Sequence, residues 1–437
     1  MRRVELTIEK LVYGGDGLAR LANAGAETRA KTIFVPYVLP GEKVEADIAE
    51  ERPGFARAQL KQVLQASPLR TRPPCPYFGE CGGCHYQHTS YEEQLRLKSE
   101  ILRETLRRTA KLDLSLQIQT HASPALYYRN RTRFHLRGKA NFAIGYFRHG
   151  SHQLLPVREC PISSTLINRA LAELWRLGEL GGVPGEIGEI ELFANAGDDG
   201  LMVELYLSSH QPERDALLRF ATTLAETFPE TSSIASFALG DSQSRKTPKP
   251  SLLHGADSMK YEVGDESYRV SSGAFFQTNR FVLPRMVELV TGERKGRLAL
   301  DLYSGVGLFS LPLARRFERV IAVESSPMSA DDLRTNAPAN VKVSSQSVEA
   351  YLTSVAGTLK PDVIVVDPPR AGLGATVSTQ ISRLNPPELM YVSCDPATLA
   401  RDLKQLSSLG WKIVEMHLID LFPQTFHIET VTVLRRG

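Results

Sequence analysis

The sequence predicts an α/β protein in which a doubly wound parallel sheet follows a small N-terminal β-barrel and a strand-rich middle part. Three patterns support this fold class. Short alternating strands fill the first 62 residues, strands return between about 127 and 270, and strands alternate with helices from 281 onward. With 437 residues, 42% of them apolar, the chain can bury two or three separate cores.

The barrel is predicted from four strand-like stretches in the first 62 residues. Alternating apolar and polar side chains occur at 4–8, 32–36, 43–48 and 55–63, with turns at 14–17 and 39–41. Strands this close together favour a small barrel. Barrels that bind oligonucleotides share this pattern with barrels that do not, and ten basic against nine acidic residues leave its charge nearly balanced.

Four of the five cysteines form one pattern, Cys75-x5-Cys81-x2-Cys84 followed by a remote Cys160. No stretch resembles a secretory signal or a membrane span, so we expect a cytoplasmic protein without a membrane partner. In a reducing cytoplasm such cysteines are more typical of metal ligands than of disulfides. A single Cys-x2-Cys knuckle is less typical of zinc, and a structural role without any ligand stays open.

A basic segment follows these first three cysteines. Residues 94–139 contain eleven Lys and Arg against three acids, although the net charge of the whole chain is only +3. Within it, 127–139 alternates cations with aromatic rings, a pattern that suits phosphates and unpaired bases of RNA. The alternative is an ordinary solvated strand edge. Residues 91–107 have the apolar spacing of an amphipathic helix.

The first strand of the doubly wound sheet ends in a glycine turn, Asp301-Leu-Tyr-Ser-Gly-Val-Gly. Such a turn lets a nucleoside approach the backbone, and Glu324, after the next strand, can accept hydrogen bonds from ribose hydroxyls. The third glycine of a dinucleotide fingerprint is replaced by Ser310. Asp301 repels a pyrophosphate but suits a cationic sulfonium, so S-adenosylmethionine is favoured over NAD or an empty turn.

Two later strands each end in a reactive side chain. Asp367-Pro-Pro-Arg follows the fourth strand and Ser393-Cys394-Asp-Pro follows the fifth. Because parallel strands meet at one edge of the sheet, we expect this carboxylate and this thiol to lie together near the glycine turn. A cysteine considered alone is more typical of a small buried side chain.

Together, these motifs resemble the 5-methyluridine RNA methyltransferases of the class I, Rossmann-like fold. The resemblance includes Phe276-Gln-Thr-Asn and His427-Ile-Glu-Thr-Val and extends through nearly the whole chain. It implies a TRAM-type, OB-like barrel at 1–62, a central α+β domain at 63–272 that binds a [4Fe–4S] cluster and RNA, and a methyltransferase domain at 273–437. The helical segment 91–122 is expected to pack on the last of these.

The resemblance also implies residue roles. Cys394 would be the nucleophile and Glu429 the base, with S-adenosylmethionine as methyl donor. The cofactor and uracil would contact Gln277, Tyr303, Gly305, Glu324 and Asp367, and the cluster would be held by Cys75, Cys81, Cys84 and Cys160. Two positions depart from the family pattern, with Ser304 where cysteine is common and Leu308 where asparagine occurs. In addition, the third strand leads into Ser344-Ser-Gln-Ser-Val-Glu without the acid that often contacts the adenine amine, so the adenine contacts are not assigned.

The residue types fit this chemistry. Carbon 5 of uracil is a poor nucleophile until a thiolate adds to carbon 6, and a base must later remove the carbon-5 proton. His427 is an alternative base, because histidine titrates nearer neutrality. We expect a monomer that acts on structured ribosomal RNA, and transfer RNA is the alternative substrate. An amino-group methyltransferase and a non-catalytic RNA-binding factor are the rival functions.

Overall fold

The computed structural model describes residues 2–21, 30–113, 115–138, 141–208, 213–238 and 249–437. These residues form a closed five-stranded barrel, a seven-stranded sheet, a two-stranded ribbon and an eight-stranded sheet. The predicted fold class is confirmed, while domain boundaries after residues 62 and 272 stay predictions. Among the described residues, no helix has both the length and the apolar character needed to cross a membrane.

The barrel forms because its strands alternate between core and solvent. Leu6 and Ile8 of the first strand point into the barrel, whereas Glu5 before them and Thr7 between them are exposed. The strands close in the order β1-β2-β3-β5-β4. They are β1 (Arg3–Leu11), β2 (Asp16–Leu21), β3 (Lys31–Pro36), β4 (Lys43–Arg52) and β5 (Phe55–Gln65).

The middle part is a seven-stranded sheet with order β13-β12-β11-β10-β7-β8-β9. Two helices cover one of its faces with an apolar core that contains Phe134, Ile190 and Leu171. In chain order, the elements between residues 91 and 271, which include α1 and β6 of the C-terminal part and the ribbon β14–β15, are α1 (Tyr91–Thr105), β6 (Gln119–His121), β7 (Arg131–Arg137), β8 (Ala143–Phe147), β9 (Leu154–Pro156), α2 (Thr165–Glu179), β10 (Ile187–Ala194), β11 (Leu201–Leu207), α3 (Arg214–Thr227), β12 (Thr231–Phe237), β13 (Ser251–Gly255), β14 (Ser258–Val263) and β15 (Glu266–Ser271).

The C-terminal part is an eight-stranded sheet with order β18-β17-β16-β19-β20-β22-β21-β6. Its first five strands are parallel, as predicted, and β22 is antiparallel to both neighbours. The elements are α4 (Leu283–Thr291), β16 (Gly296–Leu302), α5 (Ser310–Ala314), β17 (Phe317–Glu324), α6 (Pro327–Asn336), β18 (Val341–Ser345), α7 (Val348–Ser354), β19 (Val363–Val366), α8 (Gly374–Leu384), β20 (Glu388–Ser393), α9 (Pro396–Ser408), β21 (Trp411–Ile419) and β22 (Glu429–Arg436).

Helix α1 precedes the seven-stranded sheet in sequence but packs on the C-terminal part. It begins at Ser90, whose hydroxyl accepts a hydrogen bond from the Glu93 amide, a typical N-cap. Leu97 and Ile101 on its buried face share one apolar core with Leu399 and Leu403 of α9. A single π-helical turn at 106–110 follows α1, and β6 then joins the edge of the eight-stranded sheet.

Candidate active site

The strand order of the large sheet reverses between β16 and β19, which is the usual position of a ligand in doubly wound sheets. The loop after β16 follows the prediction. Gly305 and Gly307 have φ of +55° and +103°, and a Cβ on Gly307 would lie 2.7 Å from Leu333 Cδ1. No described heavy atom lies within 4 Å of a Cβ built on Gly305, so the backbone there faces open space. Tyr303 also has a positive φ, +63°.

Glu324, at the end of β17, has the position expected of an acid in a nucleoside site. Glu324 accepts hydrogen bonds from the amides of Gly305 (2.8 Å) and Ser326 (2.6 Å). A carboxylate has about four acceptor positions, so Glu324 can still accept from ribose hydroxyls. This contact fixes the side chain against the glycine turn.

Two buried polar atoms beside this loop, Asp301 Oδ1 and Ser304 Oγ, have no partner among the described residues. The other oxygen of Asp301 accepts a hydrogen bond from the Ser310 hydroxyl. Burial raises the pKa of Asp301 to about 7. An unsatisfied buried polar group costs about 1–3 kcal/mol, so these atoms favour a ligand that supplies amino or hydroxyl donors. Such donors are present in S-adenosylmethionine.

Cys394 and Glu429 lie at adjacent strand ends, on the same edge of the sheet as the glycine turn. Ser393 of β20 pairs with Thr430 of β22, and the Thr430 hydroxyl donates to the Ser393 carbonyl at 3.2 Å. Cys394 follows Ser393 and Glu429 precedes Thr430. Two neighbouring strands therefore bring a thiol and a carboxylate together, although 35 positions separate them in sequence.

The next residue, Asp395, starts helix α9 and fixes the chain after Cys394. Its carboxylate accepts from the amides of Ala397 (3.0 Å) and Thr398 (2.9 Å). Cys394 thus lies immediately before a capped helix N-terminus. The partial positive charge of such a terminus favours a thiolate.

The charges around Cys394 oppose one another. Burial and the nearby carboxyls of Glu429 and Asp367 raise the pKa of the Cys394 thiol to about 12, against the opposing effect of the Arg370 guanidinium. Burial also raises the pKa values of Asp367 and Glu429, and for Glu429 the nearby Asp367 adds to the effect. The structure therefore brings the predicted Cys394, Asp367 and Glu429 into one electrostatic cluster.

His427, the alternative base, has a different environment. Burial and the nearby Arg370 guanidinium together lower its pKa to about 3. Its Nδ1 lies 3.4 Å from Arg370 Nη2, and its ring packs against Phe426 and Phe422. A histidine in this environment is a weak base near neutral pH.

Gln277 lies in the segment that joins the middle part to the C-terminal part and is 8% exposed. The neighbouring Asn279 is buried and donates from Nδ2 to the Leu421 carbonyl at 3.1 Å, and the Asn130 amide donates to the Thr278 carbonyl at 3.1 Å. These contacts hold Gln277 beside the loop at residues 420–428, called the 420–428 loop below. That loop leads directly into Glu429.

The 420–428 loop is held from several sides. The amides of His85 and Tyr86 both donate to the Gln424 carbonyl, and Gln94 exchanges two hydrogen bonds with Gln424. The buried Lys98 ammonium donates to Asp420 (2.7 Å) and to the Phe422 carbonyl (3.0 Å). Further contacts come from Tyr128 and Asn279.

Tyr13, in the turn between β1 and β2, is a site residue that sequence reasoning missed. Its hydroxyl lies 3.5 Å from the Cys394 carbonyl oxygen, and its ring packs edge-on against Phe426 at 5.5 Å between centroids. The barrel thereby reaches the reactive edge of the sheet. No sequence signal points to this contact, because 381 positions separate Tyr13 from Cys394.

The four predicted cluster ligands line one cavity of about 260 Å³. Cys160 is fixed by Asn168, which accepts from the Cys160 amide at 2.8 Å and donates to its carbonyl at 3.0 Å. Among the described residues, no group of three or more histidine, cysteine or carboxylate side chains is arranged to hold a metal ion. The cavity and its four sulfur atoms are compatible with a larger group, but the [4Fe–4S] assignment stays a prediction.

The basic segment is less available for RNA than its sequence suggests. Tyr128 and Phe134 are fully buried, so their predicted stacking on bases is wrong, because both rings belong to the protein interior. Lys98 is also fully buried and pairs with Asp420. Tyr127 remains 45% exposed. The last residue of the segment, Lys139, lies outside the described residues.

Comparison with known proteins supports this arrangement of parts. A family model described as tRNA (uracil-5-)-methyltransferase matches residues 256–437, and a TRAM domain model matches residues 2–61. A 23S rRNA (uracil(1939)-C(5))-methyltransferase from Pectobacterium atrosepticum is 32% identical over 99% of this chain and 93% of its own length. An uncharacterized RNA methyltransferase from Aquifex aeolicus is also 32% identical, over 99% of this chain and 98% of its own.

One solved structure is similar over the whole chain. It is the Pyrococcus abyssi tRNA (uracil-54, C5)-methyltransferase in complex with S-adenosyl-L-homocysteine. The two chains are 25% identical with a TM-score of 0.76, covering 99% of this chain and 100% of the other. The similarity therefore includes the barrel, the middle part and the C-terminal sheet.

Proposed function

This chain belongs to the family of S-adenosylmethionine-dependent RNA (uracil-C5)-methyltransferases, and from that premise we propose that it forms 5-methyluridine in 23S ribosomal RNA with Cys394 as covalent nucleophile. The observation that carries the mechanism is the position of Cys394 beside Glu429 and Asp367, at the sheet edge that holds the glycine turn. Each of these groups has a step to perform in uracil-C5 methylation.

In the proposed first step, the Cys394 thiolate adds to carbon 6 of uracil and breaks the 5,6 double bond, which gives an enolate. Asp367 would hydrogen-bond a ring N–H, and the Gln277 amide would donate to the carbonyl oxygen on which charge develops. The raised pKa of Asp367 is compatible with this role, because a carboxyl near neutrality can either donate or accept.

When bound, S-adenosylmethionine supplies an electrophilic methyl group for carbon 5. We assign its binding to Tyr303, Gly305 and Glu324, with Asp367 at the border between cofactor and uracil. The glycine turn admits the nucleoside, and Glu324 is already held against that turn by the Gly305 amide. The unpartnered Asp301 Oδ1 and Ser304 Oγ add acceptor capacity beside it.

Glu429 is the proposed base that removes the proton from carbon 5, after which the bond between Cys394 and carbon 6 breaks. Burial and the neighbouring Asp367 raise the pKa of Glu429 and make it a stronger base than an exposed glutamate. His427 is disfavoured, since its pKa is lowered to about 3.

Ribosomal RNA is preferred as substrate because relatives named as 23S rRNA methyltransferases align with nearly the full chain. Transfer RNA is the second candidate, favoured by the tRNA methyltransferase with the similar structure. Mapping 5-methyluridine in both RNAs, with and without the gene, distinguishes them. A missing modification in transfer RNA alone would contradict the preferred substrate.

For the middle part, we propose a [4Fe–4S] cluster held by Cys75, Cys81, Cys84 and Cys160. Each thiolate of such a cluster binds a different iron, so the ligands lie farther apart than around one ion. A single cavity lined by all four cysteine residues suits this arrangement. Iron and sulfide analysis of anaerobically purified protein tests the assignment, and stoichiometric zinc without iron would contradict it.

The mechanism is tested with RNA that contains 5-fluorouridine. Fluorine replaces the proton that Glu429 must remove, so the wild-type protein should form a stable covalent complex with this RNA and Cys394→Ala should form none. Full methyl transfer by Cys394→Ala would instead favour an amino-group methyltransferase. RNA binding without any transfer by the wild type would favour a non-catalytic factor.

A further inference from the structure

The face of the seven-stranded sheet opposite α2 and α3 carries aromatic rings and arginines. β7 places Phe134 in the core beneath the helices and, in alternation, Arg133, His135 and Arg137 on the opposite face. His135 and Arg133 side chains there are 26% and 41% exposed. We call this surface the open face.

Rings from four strands form two stacks on the open face. His135 of β7 stacks on Phe147 of β8 with 3.7 Å between centroids and 15° between planes. Tyr206 of β11 stacks on Phe237 of β12 at 4.9 Å and 11°. Between the two stacks lies a groove of about 590 Å³, which both stacks line together with Glu189 and Arg137. Pockets of roughly 300–1,000 Å³ are typical of sites for small organic molecules and bases.

The width of the groove follows from the sheet. His135 lies on β7 and Tyr206 on β11, with β10 between them, so their strands are about 10 Å apart. Flat bases can enter such a space edge-on and contact the rings on either side. Glu189, on the intervening strand, accepts from Arg133 and lies 3.1 Å from His135 Nδ1, and its free acceptor positions can meet base amino groups.

The charges of the open face suit a nucleic acid. The Arg133 guanidinium lies 3.8 Å from the Tyr206 ring centroid and pairs with Glu189 and Glu191, so these acids are neutralised. Arg137 has no carboxylate partner within 4 Å among the described residues. An arginine without such a partner beside aromatic rings can contact phosphate while the rings contact bases.

The open face is connected to the candidate active site by the chain segment from Gly273 to Gln277. Arg131, at the start of β7, donates to the Ala274 carbonyl at 2.7 Å, and the Gly273 amide donates to Glu204 of β11 at 2.6 Å. The chain then passes through Phe275, which is 66% exposed, to Gln277. From Arg131 to His135 is about 13 Å along the strand, a few nucleotides of extended RNA.

We infer that the open face binds unpaired nucleotides that flank the target uridine, with the bases held in the groove between the His135–Phe147 and Tyr206–Phe237 ring stacks. This inference rests on the proposed function in that the occupant is the RNA substrate. It adds a binding site on a part of the chain that performs no chemistry.

The test compares Phe147→Ala with the wild type in two binding assays. The probes are a fluorescein-labelled single-stranded RNA and a blunt RNA duplex of equal length, at one fixed salt concentration. Loss of the Phe147 ring, which supports the His135 ring at the side of the groove, should weaken single-strand binding about 10-fold and leave duplex binding within about twofold. Phe147→Tyr keeps the ring and should restore binding. Leu180→Ala, which removes a 72% exposed side chain beyond the end of α2, is the matched control.

Two outcomes would overturn the inference: unchanged single-strand binding by Phe147→Ala, or an equal loss on duplex and single strand. If that variant does not fold, photo-crosslinking of the wild type to RNA that contains 4-thiouridine decides instead. Crosslinked peptides should include residues 135–147 or 206, and crosslinks confined to other segments would contradict it. If the wild type methylates RNA and these tests fail, only this inference fails. If it methylates no RNA, the proposed function fails.

Discussion

At the scale of single residues, the central feature is a thiol in an acidic environment. Burial and two carboxyls raise the pKa of Cys394 to about 12, so the protonated form predominates at neutral pH. Two features oppose this, the Arg370 guanidinium and the N-terminus of α9. Formation of the Cys394 thiolate therefore depends on these few nearby positive charges.

Replacing Arg370 with glutamine removes the side-chain cation that lowers the pKa of Cys394. The thiol pKa should rise, so the pH profile of alkylation by iodoacetamide should move to higher pH and the rate at pH 8 should fall about 10-fold, one pKa unit. Arg383→Gln, an exposed arginine in the last turn of α8, serves as control. An unchanged profile for Arg370→Gln would exclude this role.

The raised pKa values of Asp367 and Glu429 affect stability with a defined sign. The folded protein binds their protons more tightly than the unfolded chain, so stability is lost as pH rises above about 4, and for Asp367 this loss continues up to its folded-state pKa of about 7. Glu429→Gln should therefore raise the Tm by a few degrees at pH 8 and have little effect at pH 4, while turnover is lost. Thermal unfolding at both pH values checks this, and an equal Tm change at both would contradict it.

At the scale of elements, helix α1 is attached to the 420–428 loop by a buried ion pair. The side chains of Lys98 and Asp420 are 0% and 1% exposed, and Lys98 Nζ lies 2.7 Å from Asp420 Oδ1. Burial lowers the pKa of Lys98, whereas Asp420 raises it and so favours the charged form. The charged form of Lys98 in this buried position is therefore stabilised by the Asp420 carboxylate.

Lys98→Met should leave the Asp420 carboxylate buried without its cation and reduce the free energy of unfolding by about 3–5 kcal/mol. The double variant Lys98→Met/Asp420→Asn removes the unpaired charge and should recover part of this loss. Urea unfolding of both variants measures the difference. Equal stability of the single and double variants would contradict the argument.

The turn between β1 and β2 links the barrel to the reactive edge through Tyr13. Tyr13→Phe removes the hydroxyl next to the Cys394 carbonyl but keeps the ring against Phe426. Loss of one hydrogen bond worth about 1 kcal/mol should lower kcat about fivefold with little change in KM for RNA. Tyr37→Phe, also in the barrel, removes a hydroxyl without a partner and is the control. A change in KM alone would indicate an RNA contact instead.

At the scale of the whole molecule, the sequence predicts the parts better than their contacts. Alternation along β1 predicts the barrel, and apolar runs ending in Asp301, Glu324 and Asp367 predict the parallel sheet, because these signals are local. The antiparallel strands β21 and β22 were not predicted. The pairing of β22 with β20 places Glu429 beside Cys394, and it depends on residues far apart in sequence.

The same limit applies to the basic segment. Its alternation predicts which residues share a face of β7, but not which face is covered. Phe134 and Tyr128 are buried, while His135 stacks on Phe147 of β8 and lines a groove together with rings from β11 and β12, which carry no motif. Only packing of α2 and α3 on one side decides which rings remain accessible.

The 420–428 loop has a consequence for how activity arises during folding. Apart from Asn279, the anchors described above are supplied by a cysteine-rich loop, helix α1 and the segment before β7, all upstream of residue 131, yet the loop positions the proposed base Glu429. A fragment limited to 273–437 would keep the glycine turn and Glu324 but lose every one of these upstream anchors of the 420–428 loop. Cofactor capture and methyl transfer are thus separable by truncation, and the second becomes possible only once distant segments have docked.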